Sequence, residues 1–454
     1  MMCDVTILFF TFRFRNFSEV KMLCEDMLLE ILSRLPVRSL KRFMCVSKNF
    51  QSIILDARFL RMHLQNSRKR TNIMLSYSNK GKTYVDASPI SSLIEDSTPF
   101  FTANTINGSK PQRNKYQVLG SCNGLVCMIK WDQNVPDIFY LWNPATATKV
   151  LIPNSHPPHS RHLPLKFHEN EYMAMVGFGY DNSRDSYKVV AIVGHLNSEG
   201  DNHPFRSVIY NLNDNKIGWK DIQDFPVDPT GTEGDGIYLN NTLNWLGSPY
   251  CNNYDYDDDR YISFDEVLIA SLDLETEMYT QILLPGELNG VSIEDFSFPF
   301  DQLHCNEAPI IGVLGGYLSL FLHNHTTKYL IIWQMKEFGN QQSWTLLLNA
   351  SLQDLGLQTI RFPTKSYHEY YLWRISTLGN QHFSYNYYSN LLPLCMIEND
   401  RDIVIIHCAF QGFVKETIVY NLKDKTVTSK KMADNLQWIY PFDYVESLVS
   451  PTLE

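Results

Sequence analysis

Leu23 to Ile54 reads LCEDMLLEILSRLPVRSLKRFMCVSKNFQSII, and its apolar spacing decides how the N-terminal part of the chain folds. Leu28, Ile31, Leu32 and Leu35 fall at i, i+3, i+4 and i+7, the one-face pattern of an amphipathic helix. Glu25 and Asp26 stand at the end where carboxylates suit the helix dipole. The pattern predicts a helix from about Glu25 to Leu35. Pro36 ends it, because proline has no backbone N–H to donate and pushes the preceding residue out of the helical region. A second short helix, about Val37 to Met44, sets Leu40, Phe43 and Met44 against Arg38, Lys41 and Arg42, and a third segment from Ser47 supplies Phe50, Ile53, Ile54 and Leu55. Three helices this short do not close a core alone. Their remaining apolar surface needs cover from the rest of the chain or from a partner, and helix-in-groove docking is the ordinary route to the latter.

Beyond about Arg68 the periodicity changes to short strands broken by Asn, Asp, Gly and Pro. One unit recurs: an apolar run, a turn built on Asn or Asp, then a second short strand. It appears from Ile138 through Asn143 to Pro153, from Ser207 through Asn211 to Trp219, and from Leu268 through Asp273 to Pro285. It appears again from Tyr329 to Trp344 and from Thr417 through Asn421 to Val427. A further hairpin runs from Gly236 to Trp245, where Asn240-Asn241 suits a tight turn with positive backbone angles. Multi-strand units at a long, roughly regular period point to a propeller, in which each blade buries its faces against the next; about five or six blades are expected.

These segments carry two resemblances. The stretch from Leu23 to Ile54 closely resembles the F-box of plant F-box proteins, without a gap. VLGSCNGLVCM, LWNPATATKVLIP, VGFGYDNSRDSYKVV, LNWLG, IIWQMKEFGNQQSWTLL, IVYNLKDKT and YVESLVSP, in order from Val118 to Pro451, resemble the landmarks of the plant F-box-associated domain, a kelch-like interaction domain. The S-locus F-box branch is among the branches that share these landmarks, and they do not select one. The resemblance implies an α+β multidomain chain, with a small N-terminal three-helix F-box followed by a mainly-β, kelch-like propeller. The expected boundaries are a tail over 1–21 without structure, the F-box over 22–66, a linker and first strands over 67–115, and the F-box-associated domain over 116–451. In this reading a last strand near Tyr444 to Val449 pairs with strands near Asn72 to Tyr77 to close the ring. Met22 stands almost at the usual boundary of the F-box, so translation from Met22 is expected to lose no function.

By the same resemblance, the F-box binds a Skp-type adaptor and, through it, a cullin and RING protein, while the β domain binds a target protein. The chain would then be a non-catalytic substrate-recognition subunit of an SCF ubiquitin ligase that promotes ubiquitination and degradation. Carried over residue by residue, the adaptor contacts are Leu23, Leu28, Ile31, Leu32, Leu35, Pro36, Leu40, Phe43, Val46 and Phe50. Two positions depart from the family: Cys24 where proline is usual, and Phe50 where tryptophan is usual. Cysteine loosens the start of helix one, and phenylalanine keeps the apolar volume but loses the indole donor. The alternative is a non-ligase, kelch-like interaction scaffold in which these two changes have weakened adaptor binding.

Composition bounds the partners. The chain has 454 residues, 44% hydrophobic and 19% charged, with a net charge of −10. Residues 21 to 70 hold four Lys and seven Arg against Glu25, Asp26, Glu30 and Asp56, a balance of +7; residues 1 to 20 balance at zero, so the remainder carries −17. An acidic β domain is a poor candidate for nucleic acid. The apolar run Val5 to Phe14 is about half the length a bilayer requires and holds Arg13, so no membrane partner is expected. Nine scattered cysteines point to reduced thiols in the cytoplasm, the nucleus or both.

No arrangement of nucleophile, base and oxyanion donors emerges, and no cofactor or metal is expected. Cys122 and Cys127 flank a glycine-containing hairpin without a second pair at zinc spacing. His156, His159, His162 and His168 lie among prolines with Glu169 as the one adjacent carboxylate, and Asp255, Asp257, Asp258 and Asp259 lack the glycine and glutamate of an EF-hand loop. Gly315-Gly316-Tyr317 resembles the double glycine of kelch blades, where glycine permits close strand packing. A propeller enzyme with a site at the ring centre would need convergent titratable side chains at one channel mouth. Loops are the first candidates for target contact, in particular Asn154 to Asn170 and Cys251 to Tyr261, while tyrosines 370, 371, 385, 387 and 388 fit a binding surface or blade core equally.

Overall fold

The computed structural model describes residues 25–67, 72–79, 82–89, 115–132, 135–153, 171–195, 205–213, 218–227, 235–247, 263–289, 291, 309–324, 327, 329–357, 390–397, 402–409, 413–431 and 437–451. It opens on helices α1 (Glu25–Ser33), α2 (Val37–Met44), α3 (Lys48–Leu55) and α4 (Ala57–Ser67). The first is shorter than its apolar spacing suggests. It ends at Ser33, and Arg34 and Leu35 close a turn onto the carbonyls of Ile31 and Leu32 before extended Pro36 opens α2. Ser47 caps α3 by accepting from the Phe50 N–H at 3.1 Å. Asp56 Oδ1 accepts from the N–H groups of Arg58 and Phe59 and so starts a fourth helix that the three-helix expectation lacks. Its signal was legible as an N-capping aspartate followed by Phe59, Leu60 and His63.

Among the described residues the strands form five sheets. Four are four-stranded antiparallel blades. The first is β3 (Lys115–Cys122), β4 (Leu125–Asp132), β5 (Val135–Asn143) and β6 (Thr148–Leu151); the second is β7 (Glu171–Asp181), β8 (Ser186–His195), β9 (Arg206–Asn211) and β10 (Trp219–Asp221). The third is β11 (Ile237–Leu239), β12 (Thr242–Gly247), β13 (Leu268–Asp273) and β14 (Tyr279–Leu283); the fourth is β15 (Ile310–Leu314), β16 (Tyr317–Asn324), β17 (Tyr329–Met335) and β18 (Trp344–Ser351).

The fifth sheet has seven strands and two parts. A fifth four-stranded blade, β19 (Asn390–Ile397), β20 (Asp402–Ala409), β21 (Phe413–Asn421) and β22 (Val427–Lys431), meets a three-stranded unit through the single pair Phe413 and Gln437. That unit is β23 (Gln437–Tyr444) flanked by β1 (Asn72–Asn79), which in turn pairs with β2 (Lys82–Pro89). The inner strands β3, β7, β11, β15, β19 and β23 follow one another around a closed ring. The expected closure is present, with the closing strand ending at Tyr444 rather than spanning Tyr444 to Val449.

The recurring unit read from the sequence is the outer hairpin, third strand to fourth, once in each four-stranded blade. Three of these hairpins share a five-residue turn. Asn143, Asp273 and Asn421 each accept backbone N–H bonds two and three residues on, and Ala147, Glu277 and Lys425 take positive φ at the fifth position. Asn240 and Asn241 have φ of 49° and 68°, the tight turn expected between β11 and β12. Gly315 and Gly316 sit in the equivalent turn before β16, with φ of 57° and 81°, and a Cβ on Gly316 would meet nothing. Backbone angle, not close strand packing, is what glycine supplies there.

The blades pack as a ring because their middle strands are apolar on both faces. In β8, Val189, Ala191 and Val193 join a core shared with the first blade, while Val190 and Ile192 join one shared with the third. Period two along one strand thus serves two interfaces, which is why the run reads as continuous rather than alternating. One interface also carries a buried charge lock. Lys188, fully buried, bridges Asp181 Oδ2 at 2.9 Å and Glu277 Oε1 at 3.1 Å and donates to the Leu274 carbonyl, tying the second blade to the third. Burial pushes both carboxyls up, but hydrogen bonds and charge outweigh it. Lys188 and Ser183 hold Asp181 below the usual carboxylate range, and Lys220 and Lys188 do the same for Glu277.

Lys188→Met strands the Asp181 carboxylate at a dry interface, while Glu277 keeps Lys220 and Arg184, and is expected to cost about 3–5 kcal/mol in denaturant unfolding near neutral pH. The lowered carboxyl pKa values mean that the lock's contribution is complete above the ordinary carboxylate range, about pH 4, and fades as pH falls through the folded values. The gap between wild type and variant should therefore narrow on acidification; a constant gap would show that the lock does not titrate.

Candidate functional site

Two demands meet on the helical module, and burial separates them. Leu32, Leu40, Ile54 and Phe59 form its core, with Leu40, Ile54 and Phe59 at 0% exposure. Leu28, Leu35, Phe43 and Phe50 are half-buried against that core, and the Phe43 and Phe50 rings lie 5.5 Å apart. Ile31 and Val46 are exposed, at 43% and 70%, as are Pro36 and the large apolar side chains Met27 and Leu55. Met27 and Ile31 stand one turn apart on α1, the spacing of one helix face.

Of the ten expected contact residues, Leu23 lies outside the described residues, as does Cys24. Leu32 and Leu40 are committed to the core and can shape a docking surface only through the helices they position. The other seven, Leu28, Ile31, Leu35, Pro36, Phe43, Val46 and Phe50, retain exposed or half-exposed apolar surface. Phe50 keeps the packing role expected of an aromatic at its position.

The fourth helix braces this surface from behind. His63, buried, donates from Nε2 to the Leu35 carbonyl at 3.0 Å, across the end of α1. Asn66 donates to Ser33 Oγ at 2.8 Å, and Ser33 donates to the Glu30 carbonyl. The turn carrying Leu35 and Pro36 is therefore held by side chains outside the stretch that suggested the module.

The module also touches the ring. Lys41 Nζ donates to the Thr146 carbonyl in the outer turn of the first blade, and Leu448, beyond the closing strand, packs on the helical core. Ser447 Oγ donates to the Asn123 carbonyl at 2.7 Å, and buried Asn143 donates to the carbonyls of Ser447 at 3.1 Å and Val449 at 2.7 Å. Gly124 allows the crossing: its φ is +83°, and a Cβ would stand 2.5 Å from the Val445 carbonyl oxygen.

The remaining sequence candidates fall as follows. Cys122 and Cys127 are core residues, and burial, with the Asp235 carboxyl nearby, pushes the Cys127 thiol well above its ordinary range. The histidines at 156, 159, 162 and 168, the aspartates at 255 to 259, both candidate target loops and the tyrosines at 370 to 388 lie outside the described residues. No group of three or more His, Cys, Asp or Glu able to hold a metal occurs among the described residues. Nor is any described helix long and apolar enough to cross a membrane.

A four-helix module with exposed apolar side chains is followed by a ring of antiparallel blades, and one family model matches each of the two parts. The F-box domain model matches residues 21–62, and the F-box associated beta propeller domain model matches residues 73–451. The chain belongs to the F-box-associated β-propeller family of plant F-box proteins. Among its relatives in Arabidopsis thaliana, F-box/kelch-repeat protein At3g23880 is 29% identical over 71% of this chain and 78% of its own length. F-box protein CPR1 is 26% identical over 70% and 71%, and Protein SUPPRESSOR OF NIM1 1 is 26% identical over 72% and 80%. The F-box implies binding of a Skp-type adaptor within an SCF complex, and the two domains together make the chain an SCF substrate receptor in general terms.

Leu40→Ala is expected to destabilise the helical module by about 2–5 kcal/mol, because it opens a cavity in a packed core. Ile31→Ser should change stability by no more than about 0.5 kcal/mol, as surface substitutions do. Thermal unfolding of the two variants checks this division, and a large loss at Ile31 would mean that its face is covered.

Proposed function

We propose that this chain is a non-catalytic receptor that holds a Skp-type adaptor on the apolar face of its F-box and presents a target protein bound to its β-propeller for ubiquitination and degradation. Its contribution to rate is proximity: tethering makes transfer to the target effectively intramolecular. The observation that carries the reading is the exposure of Ile31 and Val46 beside half-buried Leu28, Leu35, Phe43 and Phe50, while Leu448 packs on the helical core from the ring side and Lys41 bonds to the ring. A cullin and a RING protein join through the adaptor. Few and scattered cysteines fit a reducing compartment, the cytoplasm or nucleus.

The test is capture of a purified Skp-type adaptor by the full-length chain and by Ile31→Asp with Val46→Asp, both at surface positions. Wild type should retain the adaptor and the double variant should lose it, with unchanged melting temperature. Failure of folded wild type to capture any adaptor would replace this reading with a stand-alone interaction scaffold.

A further inference from the structure

Both ends of the ring-forming chain come together beside the helical module. Asn72, the first residue of β1, is the ladder partner of Tyr444, the last residue of β23. Four residues connect Ser67 at the end of α4 to Asn72, and the segment after Tyr444 runs back over the same rim. In the first blade β4 runs antiparallel to both β3 and β5, and β6 antiparallel to β5. The turn Asn123-Gly124 and the outer turn Asn143 to Ala147 therefore share that rim.

We infer that residues Val445 to Pro451 are a clasp that locks the F-box to this rim as one rigid body, so that the adaptor and any partner on the ring are held at fixed separation and direction. The clasp has two independent anchors. On the ring side, Ser447 is 1% exposed and bonded to Asn123, while the Asn143 amide holds the carbonyls of Ser447 and Val449. Val449 packs on the core between the first two blades. On the other side, the adjacent Leu448 enters the helical core near Leu32, Leu40, Ile54 and Phe59. Consecutive residues thus face two different domains, as an extended segment requires. Lys41 adds a third point of attachment at Thr146. The clasp and Lys41 fix the helices on the rim. The consequence for transfer rests on the proposed receptor role, whereas the lock itself does not.

The test uses the full chain without adaptor, so it stands apart from adaptor capture. TROSY-based 15N relaxation reports the rotational correlation time of F-box amides and of blade amides. Wild type is expected to show one common time. Leu448→Asp removes the helical anchor. Asn143→Asp keeps the acceptor oxygen that caps its own turn but replaces the donor to Ser447 and Val449 with a carboxylate. Each variant is made together with Lys41→Ala to remove the third attachment, and its F-box amides should tumble faster than the blades, by roughly twofold as expected for a tethered small body, while the blade spectrum stays dispersed. Independent tumbling in wild type, or common tumbling in a folded variant of either kind, would overturn the lock. If Leu448→Asp loosens the helical core itself, Asn143→Asp decides the question, because it lies wholly on the ring.

Discussion

The pairing of Asn72 with Tyr444 is the constraint on which the molecule depends. A propeller made of blades that each bury both faces is stable only when the first and last units also bury theirs. Here one composite unit does this, with β23 supplied by the end of the chain and β1 and β2 by the beginning. The loop closed by this pairing is very long, yet its entropic cost grows only with the logarithm of its length. Val118, Val126 and Met128 pack with Tyr444, so the closing strand is also the first blade's neighbour.

From that closure the architecture follows by repetition. Alternate residues of a middle strand serve different interfaces, as Val190 and Ile192 of β8 share a core with Ala270 and Leu272 of β13 while Val189 and Ala191 share one with the first blade, so substituting a middle-strand valine affects one side of a blade. Trp245 shows how closely the backbones approach. A Cβ on Gly177 or Gly236 would lie 2.5 Å from its ring, so glycine on β7 and just before β11 makes room for the largest side chain of the third blade. The Lys188 lock belongs to the same interface between the second and third blades but works by charge. Its long side chain crosses from β8 to the turn after β13, where Glu277 takes positive φ and Leu274 offers a carbonyl.

The helical module shows the reverse economy: a small core and a large uncovered apolar face. Apolar spacing identified α1, α2 and α3, and capping explains their limits, with Pro36 and Ser47 at the starts of the second and third helices. The same spacing did not separate Leu32 and Leu40, which are core, from Ile31 and Val46, which are surface. An apolar stripe records which residues avoid water and not whether the cover is internal or comes from a partner. The brace by His63 and Asn66 was not legible, because it joins residues 28 and 33 positions apart through side-chain hydrogen bonds without a periodic signature.

What the sequence by itself determined is everything governed by local chemistry: helices ended by proline and opened by serine, three outer hairpins turned on Asn or Asp, and a tight turn at Asn240-Asn241. Neighbouring residues set those features through backbone angles and side-chain caps, so they survive in any window of the chain. Only the tertiary structure decided which surfaces meet. The closing unit escaped the repeat because its strands come from opposite ends of the chain, and YVESLVSP, legible as a landmark, proved to be a crossing segment beyond the last strand. Lys188 with Glu277, and Leu448 with the helical core, are contacts across large sequence separations. Their energies come from burial and charge proximity that exist only once the ring has closed.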